Sequence, residues 1–263
     1  MEKLKIAKWK ILTLLLVAGL GLMAAYFEPA ISEDKSCLEI ILGSPKFIVF
    51  FAIVLIICFV TALNKRANTK FFIWLLVLGF FIGLITQIVG TTSRLWTYQD
   101  SFVFIGFSWA LAAVTMLGLS ILIEKLLPEI NGKRYNVLGL IVLVFAILIF
   151  LDEFRTKVLL SFWIYYIALF FFAVVTTYHM RCSTLLSLFV AAWIMGLVSE
   201  YMGSSIGLWK FCPDLAQSGG AEPFPCWSPP PYLILGCWPL EFIAQVGLSS
   251  FISGQNILLD QQK

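Results

Sequence analysis

Residues 70–90 read KFFIWLLVLGFFIGLITQIVG, a run whose only charge is Lys70 at its start. At 1.5 Å per residue such a helix crosses about 30 Å of hydrocarbon, and nothing in it alternates as a half-buried strand would. Working outward, runs of the same kind fall at 9–27, 46–64, 102–125, 136–152, 158–178, 183–201 and 231–251. The composition agrees. The chain has 263 residues, 60% of them hydrophobic and 13% charged, about half the charge of an ordinary soluble domain. These features predict an all-α membrane protein of about eight transmembrane helices, with the lipid bilayer as its main partner. A net charge of +3, scattered over the loops, gives no basic face for nucleic acid, and none is expected.

The loops alternate in charge. Lys3, Lys5, Lys8 and Lys10 precede the first run, Lys65, Arg66 and Lys70 follow the second, Lys133 and Arg134 the fourth, and Arg181 the sixth. The remaining connections carry Glu28, Glu33, Asp34, Glu39, Asp100, Asp152, Glu153, Asp214 and Glu222. The excess of Lys and Arg places both termini on the cytoplasmic side of a bacterial inner membrane or its equivalent. The first run also has the form of a signal peptide, but the repeat described next requires it as a span.

Gly83-Leu84, Gln87, Gly90 and Leu95-Trp96 recur as Gly196-Leu197, Glu200, Gly203 and Leu208-Trp209 at one interval. Further on, Trp109, Leu111 and Gly118-Leu119-Ser120 recur as Trp238, Leu240 and Gly247-Leu248-Ser249 at a second constant interval. Constant spacing of this sort marks an internal repeat. With four spans per unit the halves enter the membrane in the same orientation, so the expected architecture is a 4+4 parallel repeat, residues 1–127 and 128–263.

The repeat makes its own departures informative. Gln87 becomes Glu200, and Ala110 and Ala112 become Pro239 and Glu241. The second half also gains a Gly- and Pro-rich outer loop at 202–230, long enough to cover the bundle as a lid. Cys212 and Cys226 both fall in that loop, on the side where thiols oxidise, which predicts a disulfide between them; two free thiols or a pairing with Cys37 are the alternatives.

Glu241 lies about ten residues into the last run, roughly 15 Å deep. A carboxyl there has to be satisfied inside the bundle and suits a proton donor, with Pro239 opening the helix beside it and Trp238 and Gln245 one turn away. A structural carboxyl bonded to a neighbouring helix is the plainer reading. Glu200 ends the seventh run near the outer interface, where it is either a solvated carboxylate beside the belt tryptophans Trp209 and Trp227 or the second member of an acid–base pair with Glu241. The single histidine, His179, at a helix end excludes a histidine-rich metal centre, no Cys-x-x-Cys pair occurs, and no phosphate loop is present. Neither metal nor organic cofactor is expected.

The order Glu200, Gly207-Leu208-Trp209-Lys210-Phe211, then Pro239-Leu240-Glu241-Phe242 resembles the lycopene cyclase domain of the heterodimeric bacterial and fused fungal carotenoid cyclases. The turn from Glu200 to Gly207 is also similar to that of the membrane carotenoid hydratases. The likeness covers mainly residues 196–250, with an echo at 83–120. Phe242 stands where the family's segment has a second Glu, and Ala110-Leu111-Ala112 lacks both Pro and Glu. The resemblance implies acid chemistry on an apolar isoprenoid: a carboxylic acid protonates a double bond and the cation is captured by ring closure or by water. Glu241 and Glu200 would be the catalytic carboxyls, with Trp209, Trp238, Phe242, Gln245 and Gln87 around the substrate.

Two other classes fit the same pattern. A proton-coupled small-solute transporter would share the parallel repeat, the Pro-broken helix and the mid-membrane carboxylate. A non-catalytic membrane assembly subunit would turn its carboxyls towards headgroups or another chain. The cytoplasmic halves of the runs look almost wholly apolar, which favours a lipid-soluble substrate. Cyclase against hydratase, and the oligomeric state, stay open.

Overall fold

The computed structural model describes residues 2–27, 36–64, 67–92, 96–97, 103–127, 137, 139–142, 160–178, 180–206, 208, 210–211 and 233–255. They form helices α1 (Glu2–Phe27), α2 (Cys37–Gly43), α3 (Pro45–Leu63), α4 (Thr69–Thr92), α5 (Val103–Leu126), α6 (Leu160–Thr177), α7 (Cys182–Ser205) and α8 (Trp238–Ser253). A π-helical turn, Leu233–Cys237, leads into α8. Six of these segments are long and apolar enough to cross a membrane, and α6 contributes a shorter apolar helix over Trp163–Thr177. The chain is an integral membrane helical bundle. The run expected at 136–152 falls mostly outside the described residues, of which 137 and 139–142 are helical.

Short α2 is not visible as a hydrophobic run. It is built from its ends: Ser36 and Glu39 form a capping box, with Ser36 N–H donating to Glu39 Oε2 at 2.6 Å and Glu39 N–H to Ser36 Oγ at 3.2 Å. Ser44 closes α2 and opens α3, its Oγ accepting from Phe47 N–H with Pro45 in the first turn.

Side chains at the helix ends show which ends share a face. Lys10 Nζ donates to the carbonyls of Asn64 (2.7 Å) and Ala67 (3.0 Å), and Asn68 N–H donates to Gln255 Oε1 at 2.8 Å. The α3–α4 turn, the first turns of α1 and the end of α8 therefore lie together. At the opposite ends, β1 (Trp96–Thr97) pairs antiparallel with β2 (Lys210–Phe211) and ties the connection after α4 to the one after α7. Lys10 corrects the sequence reading in one respect. Counted among the loop charges, it is only 2% exposed, because its ammonium satisfies the carbonyls of Asn64, at the end of α3, and Ala67, in the turn before α4.

Helices α3, α4 and α5 bury the same positions as α6, α7 and α8. In α3 these are Val54, Cys58, Thr61 and Ala62, matched in α6 by Leu169, Ala173, Thr176 and Thr177 at one interval. In α4, Leu75, Gly79, Ile82, Gly83, Gln87 and Gly90 match Leu188, Ala192, Met195, Gly196, Glu200 and Gly203 of α7. In α5, Trp109 to Leu117 with Ser120 and Ile121 match Trp238 to Val246 with Ser249 and Ser250. Close approaches repeat as well. A Cβ on Gly83 would meet Trp109 and one on Gly196 would meet Trp238; one on Gly118 would meet Thr61 and one on Gly247 would meet Thr176. The triplets also interlock, since α4 packs on both α5 and α8 while α7 packs on both α8 and α5.

Candidate functional site

Two tryptophans meet in the core of the bundle. Trp109 of α5 and Trp238 of α8 stack there, ring centroids 4.3 Å apart and planes 22° from parallel. Gly83 and Gly196 let the indoles lie against the backbones of α4 and α7. Trp238 is held on its edge too, its Nε1–H donating to Glu200 Oε1 at 2.9 Å. Glu200 is 8% exposed, so the sequence expectation of a solvated carboxylate as one alternative does not describe it. Packing of α7 against α8 brings it under Trp238.

Glu200 opens onto a cleft whose walls are nearly all apolar and aromatic. Phe50, Phe51 and Val54 of α3, Phe104, Ser108, Trp109 and Ala112 of α5, Ser199 of α7, Trp238 and Gln87 surround it, and Ala18, Gly21 and Leu22 of α1 form its outer side. Gln87, 5% exposed, and Glu200 are the strongest polar groups on its wall. They occupy matching positions of α4 and α7.

Glu241 lies in a separate, closed network. It is completely buried, and its Oε1 accepts from Tyr166 Oη at 2.6 Å and from Thr86 Oγ1 at 2.9 Å. Thr86 Oγ1 is in turn 2.7 Å from Tyr165 Oη, which reaches the Ile82 carbonyl at 3.1 Å. Pro239 stands in the first turn of α8 and opens no cleft beside Glu241. Lacking an N–H, it leaves the Leu235 carbonyl one turn back without a helical donor, and Trp193 Nε1–H supplies one at 3.1 Å. The widened π turn sits at this point.

Cleft and network are counterparts. At the intervals set by the matching burial, Phe50 and Phe51 correspond to Tyr165 and Tyr166, Ala112 to Glu241, and Ser199 to Thr86. On α6 and α8 two phenol hydroxyls and a carboxyl fill the space; at the matching positions of α3 and α5 two phenyl rings and a methyl leave it open. One bundle thus contains an apolar hollow and a polar plug at equivalent places.

The expected site residues divide accordingly. Glu200, Gln87 and Trp238 come together at the cleft, while Glu241 joins Thr86 and the tyrosines instead. Phe242 and Gln245 are buried on α8 and do not line the cleft. Trp209, Cys212 and Cys226, with most of the 202–230 loop and His179, lie outside the described residues. Thr86, Tyr165 and Tyr166 escaped the sequence reading, and Trp109 entered it only as the repeat partner of Trp238. Their signal was present in the step from Phe50-Phe51 to Tyr165-Tyr166, but α3 and α6 share too few identical residues to set that register without the packing. Among the described residues no group of three or more His, Cys, Asp or Glu could hold a metal ion. No protein family, characterised protein or solved structure matches this chain.

Proposed function

We propose that this chain is a duplicated, 4+4 membrane enzyme that protonates a double bond of a long apolar polyene, as a carotenoid cyclase or hydratase does. One observation carries the reading: a single buried carboxyl, Glu200, stands in the wall of an otherwise apolar, aromatic-lined cleft, with Trp238 holding one of its oxygens. An ordinary solute would need more hydrogen-bonding groups around it, whereas a polyene needs an acid, an apolar slot and faces that tolerate positive charge. The matching burial of the two helix triplets supports the duplication, and the shared face of Lys10, the α3–α4 turn and Gln255 supports placing both termini on the cytoplasmic side.

In this reading Glu200, as the acid, gives its proton to a terminal carbon of the polyene. The indole faces of Trp109 and Trp238 stabilise the carbocation. A second double bond then closes a ring and an adjacent C–H proton returns to the carboxylate, or water adds and its proton returns instead. Either way the carboxyl ends as it began. Glu241, bonded to Tyr166 and Thr86 outside the cleft, takes no part in this transfer.

The experiment is to produce the chain in cells that accumulate an acyclic carotenoid and to analyse the extracted pigments. New cyclic or hydroxylated pigment with the native chain, lost in Glu200→Gln, supports the reading. Unchanged pigment in membranes that demonstrably contain the folded native chain rejects it. A proton-coupled carrier is the second reading, favoured by the buried polar stripe of Glu241, Gln245 and Ser249 on α8. A carrier would leave the pigments unchanged and move a solute with protons in vesicles.

A further inference from the structure

The cytoplasmic half of α8 is not apolar inside, contrary to the sequence expectation. Glu241, Gln245 and Ser249 recur every fourth residue, so they form one stripe along the helix. All three are completely buried. Among the described residues, four of their polar atoms have no partner: Glu241 Oε2, Gln245 Oε1, Gln245 Nε2 and Ser249 Oγ. Each such atom kept dry costs about 1–3 kcal/mol, so a stripe of four is expensive unless something small and polar meets them. The first half provides the contrast. At the matching positions of α5 stand Ala112, Met116 and Ser120, and Ser120 Oγ is satisfied by the Leu117 carbonyl at 2.8 Å.

We infer that the stripe holds a file of bound water molecules connecting Glu241 to the face of the bundle where α8 ends. Successive members lie about 6 Å apart along the axis, a gap one or two waters bridge with hydrogen bonds at both ends. Gln245 offers a donor and an acceptor at the centre, and Ser249 can do both, so the order of polarity is continuous. Below Ser249 the stripe reaches Ser250, Ser253 and Gln255, which already exchange hydrogen bonds at the helix terminus. A single cation would not explain it. Glu241 and Ser249 are about 12 Å apart along the helix, too far to ligate one ion.

The file lets the Glu241 carboxyl exchange its proton with the aqueous phase on that side while Thr86 and Tyr166 hold its other oxygen fixed. It makes no use of the cleft and stands whether the chain is an enzyme or a carrier.

The test uses the full-length protein in lipid nanodiscs. The carboxyl infrared band that disappears in Glu241→Gln is assigned to Glu241, and its shift is followed after transfer from H2O to D2O. Gln245→Met, which installs the residue found in the other half, and Ser249→Ala should each slow exchange by about tenfold, as expected for losing one hydrogen-bonding station. Thr86→Val leaves the file intact and should not slow it. A thermal comparison covers loss of folding: a watered Gln245 makes Gln245→Met neutral or destabilising. Exchange unaffected by either stripe substitution, or a Gln245→Met protein markedly more stable than the native one, overturns the inference.

Discussion

Substituting alanine for glycine at three helical positions separates packing from propensity. A Cβ on Gly83 would lie 2.2 Å from Trp109 Cγ, 2.3 Å from its Cβ and 2.6 Å from Cδ1. Trp109 Cβ is fixed to the α5 backbone, so α4 and α5 must separate. On Gly196 the nearest atom is Trp238 Cγ at 2.8 Å, followed by ring atoms at 3.0 and 3.1 Å, so the stacked indole must move, though less than at Gly83. Gly19 has nothing within 4 Å. Alanine gains up to about 1 kcal/mol over glycine inside a helix, whereas overpacking costs about 1–3 kcal/mol. Gly19→Ala should therefore be neutral or slightly stabilising, and Gly196→Ala destabilising, by less than Gly83→Ala. Gly83→Ala should lose about 1–3 kcal/mol. Activity should not follow that order, because in Gly196→Ala the displaced indole is the one that holds Glu200, and pigment conversion should fall more than stability does. The assay is helical circular dichroism during heating in one detergent, beside pigment turnover. Gly83→Ala as stable as Gly19→Ala would refute the packing argument.

Tyr166→Phe leaves Glu241 Oε1 with Thr86 alone and should cost about 1–3 kcal/mol, measurable as a lower unfolding midpoint; adding Glu241→Ala should cancel most of that loss, and full additivity would count against the contact. Lys10→Met removes the donor to Asn64 and Ala67 and should lower stability by about the same amount, which an unchanged midpoint would contradict. Trp238→Phe keeps the stack on Trp109 but removes the donor to Glu200, so conversion should fall by about tenfold or more while the fold survives; undiminished turnover would deny Glu200 its part. For topology, a cysteine introduced at Gln217 should react with an impermeant reagent on intact cells and one at Gln255 only after permeabilisation, and the opposite pattern would invert the chain.

Composition alone determined that the chain folds in lipid, because runs such as 70–90 are too long and too apolar for any other solvent. Constant spacing in the sequence also related Gly83 to Gly196, Trp109 to Trp238 and Ala112 to Glu241, since covalent order preserves intervals whatever the packing. What the spacing could not determine is where a side chain points once several helices compete for it. Glu200 read equally as a solvated carboxylate or as one of a buried pair, and packing of α7 against α8 placed it beneath Trp238. Glu241 looked like the acid facing a cavity, and hydroxyls from two distant helices closed around it. Lys10 counted as a loop charge until the end of α3 supplied its acceptors, and Gln245 and Ser249 formed a stripe only when α8 was wound. Helical period fixes which residues share a face, but the helix that covers that face is chosen by long-range packing. That choice decides whether a buried polar group becomes a plug, a wall of the cleft or a path for water.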